Sequence, residues 1–317
     1  MKARSNLSEN ANPEVAKDQN GNTKQDLATG VSQVIDSHRL EGRDDFDFPG
    51  VIHQTARTES LNPATLSWYY ANVGEEHKHY TDREALAYVK KMAPTDVYEI
   101  YQSLPDPVAR ADLFRYIVLY EAGGVYADVD TTTLCQINAW IPKEFEMASI
   151  NVVIGIEVDA PKVTSLAEIE DWGWADNFQF VQWTIMAKPH HRALKDATAE
   201  AITRVKSLAN KRAEKIKALQ LTSMDIIRTT GPGAFTAAML KYLELSDVSS
   251  LRGLTKPVQV KDVLIMPVSS FAPNQRHSGS KSVTIAENIP EVLVMHGFQA
   301  TRSWADSVKS WLLSKVY

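Results

Sequence analysis

Asp128 and Asp130 stand two residues apart at the end of the stretch Glu121-Ala122-Gly123-Gly124-Val125-Tyr126-Ala127-Asp128-Val129-Asp130. On an extended segment that spacing points both carboxylates the same way, because strand side chains alternate with period two. Two acids so placed repel, and the arrangement costs stability unless a cation lies between them. Oxygen donors suit a hard divalent ion such as manganese or magnesium. A calcium EF-hand is excluded. Counted from Asp128, its sixth position is Thr133 rather than Gly and its twelfth is Ala139 rather than Glu. An isolated acid-x-acid pair is also common in solvated turns, so the neighbours decide. Asp112 and Arg115, three apart, share one face of the preceding helix. They read either as a surface ion pair worth a few tenths of a kcal/mol or as a second arm of one site.

Other polar groups fall where chemistry could use them. Glu157 and Asp159 lie two apart at a strand end and could meet hydroxyls of a ligand, or form a solvated loop. Gln179 and Gln182 interrupt an apolar strand, which predicts buried hydrogen bonds. Trp172 and Trp174 could stack on the face of a ligand ring, although tryptophan in a long loop usually packs it. His296 ends a strand before a Gly turn and reads equally as a ligand or a satisfied core histidine. The turn Gly231-Pro232-Gly233 lacks the Lys-Ser/Thr of a phosphate-binding P-loop, which excludes that class of ATPase.

Apolar patterns supply the elements that must hold these residues. Val51–Thr55 predicts a first strand after Pro49-Gly50, and helices follow over 62–72 and 82–92. Asp106-Pro107 opens a long apolar helix that stops at Gly123-Gly124. Strands are expected at 125–128, 152–157, 178–187, 263–266 and 292–295. Helices are expected over 190–219, from Gly231 to Leu245, and from Ser303 to Leu313. Alternating strands and helices predict an α/β fold with a mainly parallel central sheet.

Residues 1–46 are polar and read as a flexible stem, leaving 47–317 as a single folded domain. A sequon, Asn6-Leu7-Ser8, lies in that stem. A net charge of -5 and a pI near 5.9 argue against a nucleic-acid partner. Cys135 stands alone, so intrachain disulfides and Cys-rich zinc sites are excluded. No apolar run approaches the ~18 residues of a membrane span.

The stretch from Arg110 to Asp130 resembles the sugar-transferase region with a D-x-D motif found in the family-32 glycosyltransferases. Ile52-His53-Gln54-Thr55 is similar to that family's first strand. Phe178 to Pro189, Thr230 to Thr236, and His296 followed by Ser303-Trp304 resemble the fungal initiation-specific alpha-1,6-mannosyltransferase branch. Ala56, His190-His191-Arg192 and Arg302 depart from its pattern. The resemblance implies a GT-A fold and metal-dependent, retaining transfer of mannose from GDP-mannose to an N-glycan or mannan acceptor, in an alpha-1,6 linkage. It implies manganese or magnesium on Asp128, Asp130, His296 and Ser303. Donor contacts are implied for His53, Gln54, Thr55, Asp112, Arg115, Tyr126, Asp128, Ser303 and Trp304, and catalytic contacts for Asp112, Arg115, Gln179 and Gln182. It also implies a Golgi-lumenal type II membrane protein whose anchor lies outside this sequence, within a larger glycosyltransferase complex. Two rivals remain: a sphingolipid or other glycan acceptor, and a catalytically silent glycan-binding subunit. The second would have no use for mutually repelling acids.

Overall fold

The computed structural model describes residues 40–57, 62–282 and 289–297. Strand β1 (Val51–Thr55) leads to helix α1 (Pro63–Ala71), edge strand β2 (Glu76–Tyr80) and helices α2 (Asp82–Met92), α3 (Thr95–Ser103) and α4 (Pro107–Ala122). Strands β3 (Gly124–Ala127), β4 (Thr131–Thr133) and β5 (Val152–Asp159) follow, then helix α5 (Leu166–Asp171) and strands β6 (Phe178–Phe180) and β7 (Thr184–Ala187). Helices α6 (Arg192–Arg212), α7 (Ser223–Thr229) and α8 (Pro232–Leu243) precede β8 (Val258–Val260) and β9 (Val263–Met266). A short helix α9 (Val268–Phe271) and strand β10 (Val294–His296) complete the described chain.

The central sheet runs β2-β1-β3-β7-β5-β9-β8, with β6 paired to β5. Strands β2, β1, β3, β5 and β9 share one direction, so the fold is α/β with a mainly parallel sheet, as the alternation predicts. Strand β7 runs against β3 and β5 and joins the two parallel halves. The single strand expected over 178–187 is broken at 181–183. Its first half pairs with β5 and its second half enters between β3 and β5.

Helix α4 explains the Gly-Gly that follows it. Asp106 caps its start, accepting from the Val108 N–H at 2.7 Å, with Pro107 in the first turn where no donor is missed. Its end turns sharply into β3 through Gly123 and Gly124, at φ of 67° and 88°. A Cβ on Gly124 would lie 2.3 Å from the Val51 carbonyl oxygen, so only glycine lets β3 pair beside β1. Most of α4 is buried, including Leu113, Phe114, Tyr116 and Ile117.

The expected stem boundary at residue 46 is corrected. The Arg43 guanidinium donates to the carbonyls of Pro142 and Phe145 at 2.9 and 2.8 Å, and Leu40 and Phe46 pack against the core. Residues 40–46 thus belong to the folded body. Among the described residues, no helix is long and apolar enough to cross a membrane. The expected helix from Ser303, with Ser303 and Trp304, lies outside the described residues.

His53 is also corrected, from a nucleotide contact to a core residue. It is fully buried, and the Gly123 carbonyl can only accept, so Nε2–H donates to it at 3.1 Å while Nδ1 accepts from Tyr80 at 3.2 Å. Burial lowers its pKa to about 4. Above pH 6.5 it is neutral in both folded and unfolded chains. As pH falls below that, the unfolded chain takes up a proton that the folded chain refuses until about pH 4. Stability therefore falls over this window, by on the order of 3 kcal/mol from His53 alone. His53→Gln should flatten that slope in chemical denaturation measured from pH 7 to pH 4. An unchanged slope would contradict this account of the residue.

Candidate active site

Asp128 and Asp130 do not sit on a strand. The chain leaves β3 at Ala127 and turns, with the Thr131 N–H donating to the Asp128 carbonyl at 3.0 Å. The turn is fixed from three sides. The Asp128 N–H donates to the Trp183 carbonyl at 2.9 Å, extending the β3–β7 pairing by one bond. Asn62, at the start of α1, donates to the Val129 carbonyl at 3.0 Å. The third restraint is β10, which pairs antiparallel with β4 so that His296 lies opposite Thr131. That register brings His296 Nε2 to 3.2 Å from the Asp130 carboxylate, and the Gly297 N–H to 2.8 Å from the Asp130 carbonyl.

Donor atoms of Asp128, Asp130 and His296 all lie within 4.8 Å of one another. The Asp130 side chain is nearly buried, whereas Asp128 keeps 24% of its surface open. Desolvation pushes the Asp128 carboxyl up, and the charge of Asp130 adds to this, against the pull of Arg115 and His296. Burial alone would lower the pKa of His296. The hydrogen bond to Asp130 and the charges of Asp130, Asp128 and Glu157 outweigh it, so the imidazole is held toward its protonated form. Repelling carboxylates beside an imidazole that draws a proton are a set a divalent cation would satisfy, displacing that proton as it binds. Asp128, Asp130 and His296 therefore fit such an ion.

Helix α4 supplies the support beneath. Arg115 Nη2 lies 3.1 Å from Asp112 and 3.2 Å from Asp128, and its guanidinium sits over the Tyr126 ring at 5.1 Å. Burial opposes its charge, but Asp128 and Asp112 outweigh that and raise its pKa. The Asp112–Arg115 pair is buried, which rules out the surface-pair reading. Asp112 has both oxygens engaged, one by Gln182 Nε2 at 3.1 Å and the other by the Thr230 hydroxyl at 2.8 Å. Desolvation raises its pKa against the influence of Arg115, Thr230 and Gln182.

The other expected contact residues form a layer beneath the turn. Asp112, Gln182 and Tyr126 are buried around Arg115. The Tyr126 hydroxyl is taken by the Thr55 hydroxyl at 2.9 Å. Gln179 is 3% exposed and bonds Ala175 N–H and Glu157, so the buried hydrogen bonds expected of both glutamines are present. Gln54 is buried as well, and among the described residues its Nε2 has no partner. Asp159 turns to Arg252 at 2.8 Å, away from Glu157. A β-bulge between Ile156 and Val158 makes Glu157 the extra residue and re-aims it. Trp172 and Trp174 stack on each other at 4.9 Å, as loop packing predicts. Trp183 and Thr230 were not singled out from the sequence, although both sit inside stretches whose pattern drew notice.

Comparison with known proteins decides the family. Residues 51–146 match the family described as the glycosyltransferase sugar-binding region containing a DXD motif. The initiation-specific alpha-1,6-mannosyltransferase of Schizosaccharomyces pombe is 31% identical over 317 residues, which covers 91% of this chain and 76% of that protein. The chain belongs to this DXD glycosyltransferase family. The Candida albicans protein of the same description is 30% identical, over 73% of this chain and 64% of its own length. Among solved structures, the PaToxG glycosyltransferase aligns at a TM-score of 0.42 and 13% identity, covering 72% of this chain and 79% of its own. The protein is therefore a glycosyltransferase.

Proposed function

We propose that this glycosyltransferase moves mannose from GDP-mannose to a mannose-bearing glycan, forming an alpha-1,6 linkage with retention of configuration. Manganese, or magnesium in its place, serves at Asp128, Asp130 and His296. The observation that carries this is the meeting of those side chains in a chain whose relatives are named alpha-1,6-mannosyltransferases. When bound, the ion supplies a Lewis acid for the diphosphate leaving group. The protein's own residues do the rest. Arg115 pins Asp128 from below and compensates part of its charge, while His296 pins Asp130 from the side. Asp112, itself held by Gln182 and Thr230, fixes Arg115, so the turn is preorganised before substrate arrives. The imidazole in the donor set favours manganese over magnesium, which prefers oxygen ligands throughout.

Transfer from a panel of nucleotide sugars tests the reading. GDP-mannose should be used with manganese present and should fail when the ion is chelated. Turnover of another nucleotide sugar in its place, or full activity in chelator, would overturn it.

A further inference from the structure

Trp183 touches both halves of the acidic site. Its carbonyl accepts from the Asp128 N–H at 2.9 Å, and its ring lies nearly parallel to the His296 imidazole, 4.6 Å away and tilted by 18°. The indole N–H donates to Glu157 Oε1 at 3.3 Å. Gln179 Nε2 donates to the other Glu157 oxygen at 3.2 Å, and Gln179 is tied in turn by the Ala175 N–H at 2.8 Å. A buried tryptophan is usually packing, and packing alone would explain the ring contact. It does not explain Glu157. Among the described residues no Lys or Arg forms an ion pair with that carboxylate, and only neutral groups donate to it. Glu157 is half-buried, and an apolar residue there would pack without desolvating a charge. A bulge has also been introduced that aims Glu157 at Trp183.

We propose that Glu157 and Trp183 are positioning residues for the cation site: Glu157 locks the indole, and the indole sets the plane of the His296 ring while its backbone holds Asp128. Carboxylates behind a metal-binding imidazole commonly orient it and raise its affinity for the ion. Here the carboxylate acts through an interposed indole rather than by a bond to the imidazole itself. The inference rests on the manganese reading of Asp128, Asp130 and His296, and its test keeps the two apart.

The experiment is titration of manganese alone, without donor or acceptor, into the purified protein, with free ion counted by electron paramagnetic resonance. Glu157→Gln keeps an acceptor for the indole N–H but loses the charge that strengthens the bond, so manganese binding should weaken by about ten-fold. Trp183→Phe keeps a ring on His296 and removes the N–H, so about ten-fold is expected. Kinetically, both should raise the KM for manganese and leave kcat at saturating manganese within a few-fold of wild type. If Glu157→Gln folds poorly, Trp183→Phe reads the same link with a smaller ring left against His296. Asp130→Asn is the reference. Lost binding there, with unchanged affinity in the Glu157 and Trp183 variants, would overturn the positioning role alone. A fall in kcat at unchanged manganese affinity would also overturn it, because Glu157 would then act on substrate. Unchanged binding in Asp130→Asn would instead remove the manganese reading itself.

Discussion

Asp130→Asn should abolish transfer while leaving the fold intact. The substitution removes one of two neighbouring charges and keeps an oxygen that can still accept from His296 Nε2. Losing the charge of Asp130 relieves repulsion on Asp128 but also removes the ionic part of its bond to His296, so the two effects offset and the melting temperature should change little. The catalytic effect runs the other way. Several kcal/mol of leaving-group stabilisation depend on the cation, and a deficit of that size is more than ~100-fold in rate. Manganese-dependent binding of GDP should weaken with it. Activity within two-fold of wild type would remove the acidic turn from the mechanism.

Arg115→Ala should be the most destabilising single change at the site. Its guanidinium is buried between Asp112 and Asp128, and removing it strands Asp112 without a cation. Removing one partner from a buried ion pair costs about 3–5 kcal/mol, against under 1 kcal/mol for an exposed one. For a body of this size that corresponds to a fall of roughly 10 °C in melting temperature. Asp128 loses its anchor at the same time, so GDP binding with manganese should fall along with transfer. Thermal denaturation and GDP affinity of the variant decide the matter. A shift of a degree or two with normal GDP binding would show that the pair neither supports the turn nor stabilises the core.

Much of this arrangement was legible in the sequence because local chemistry dictated it. Val51–Thr55, Asp82–Met92 and Val263–Met266 form the elements their apolar patterns predict. Asp106, Pro107 and Gly123 bound α4 within a residue of where cap chemistry places its ends. Shared faces on a helix likewise brought Asp112 and Arg115 together. Pairing between distant segments was not legible. Strand β2, Glu76-His77-Lys78-His79-Tyr80, carries no apolar alternation because it is an edge strand, whose outer residues meet solvent. His296 reaches Asp130 only through the β4–β10 register, and no local signal reports which strand will be its partner. The bulge that re-aims Glu157 depends on a one-residue mismatch with β6. His53 shows the opposite error: a polar residue in a family-like motif, taken for a ligand contact, that the sheet buries against Tyr80 and Gly123. Its type carried no information about depth.

The most direct test of the central claim is the product itself. The protein is incubated with GDP-mannose, manganese and a mannose-terminated oligosaccharide, and the product is read by mass, by methylation linkage analysis and by digestion with an alpha-specific mannosidase. The account predicts addition of one hexose, a newly 6-substituted mannose and an alpha anomer, all absent when manganese is chelated. A hexose joined through another position, or no product with donor and ion at saturation, would contradict it.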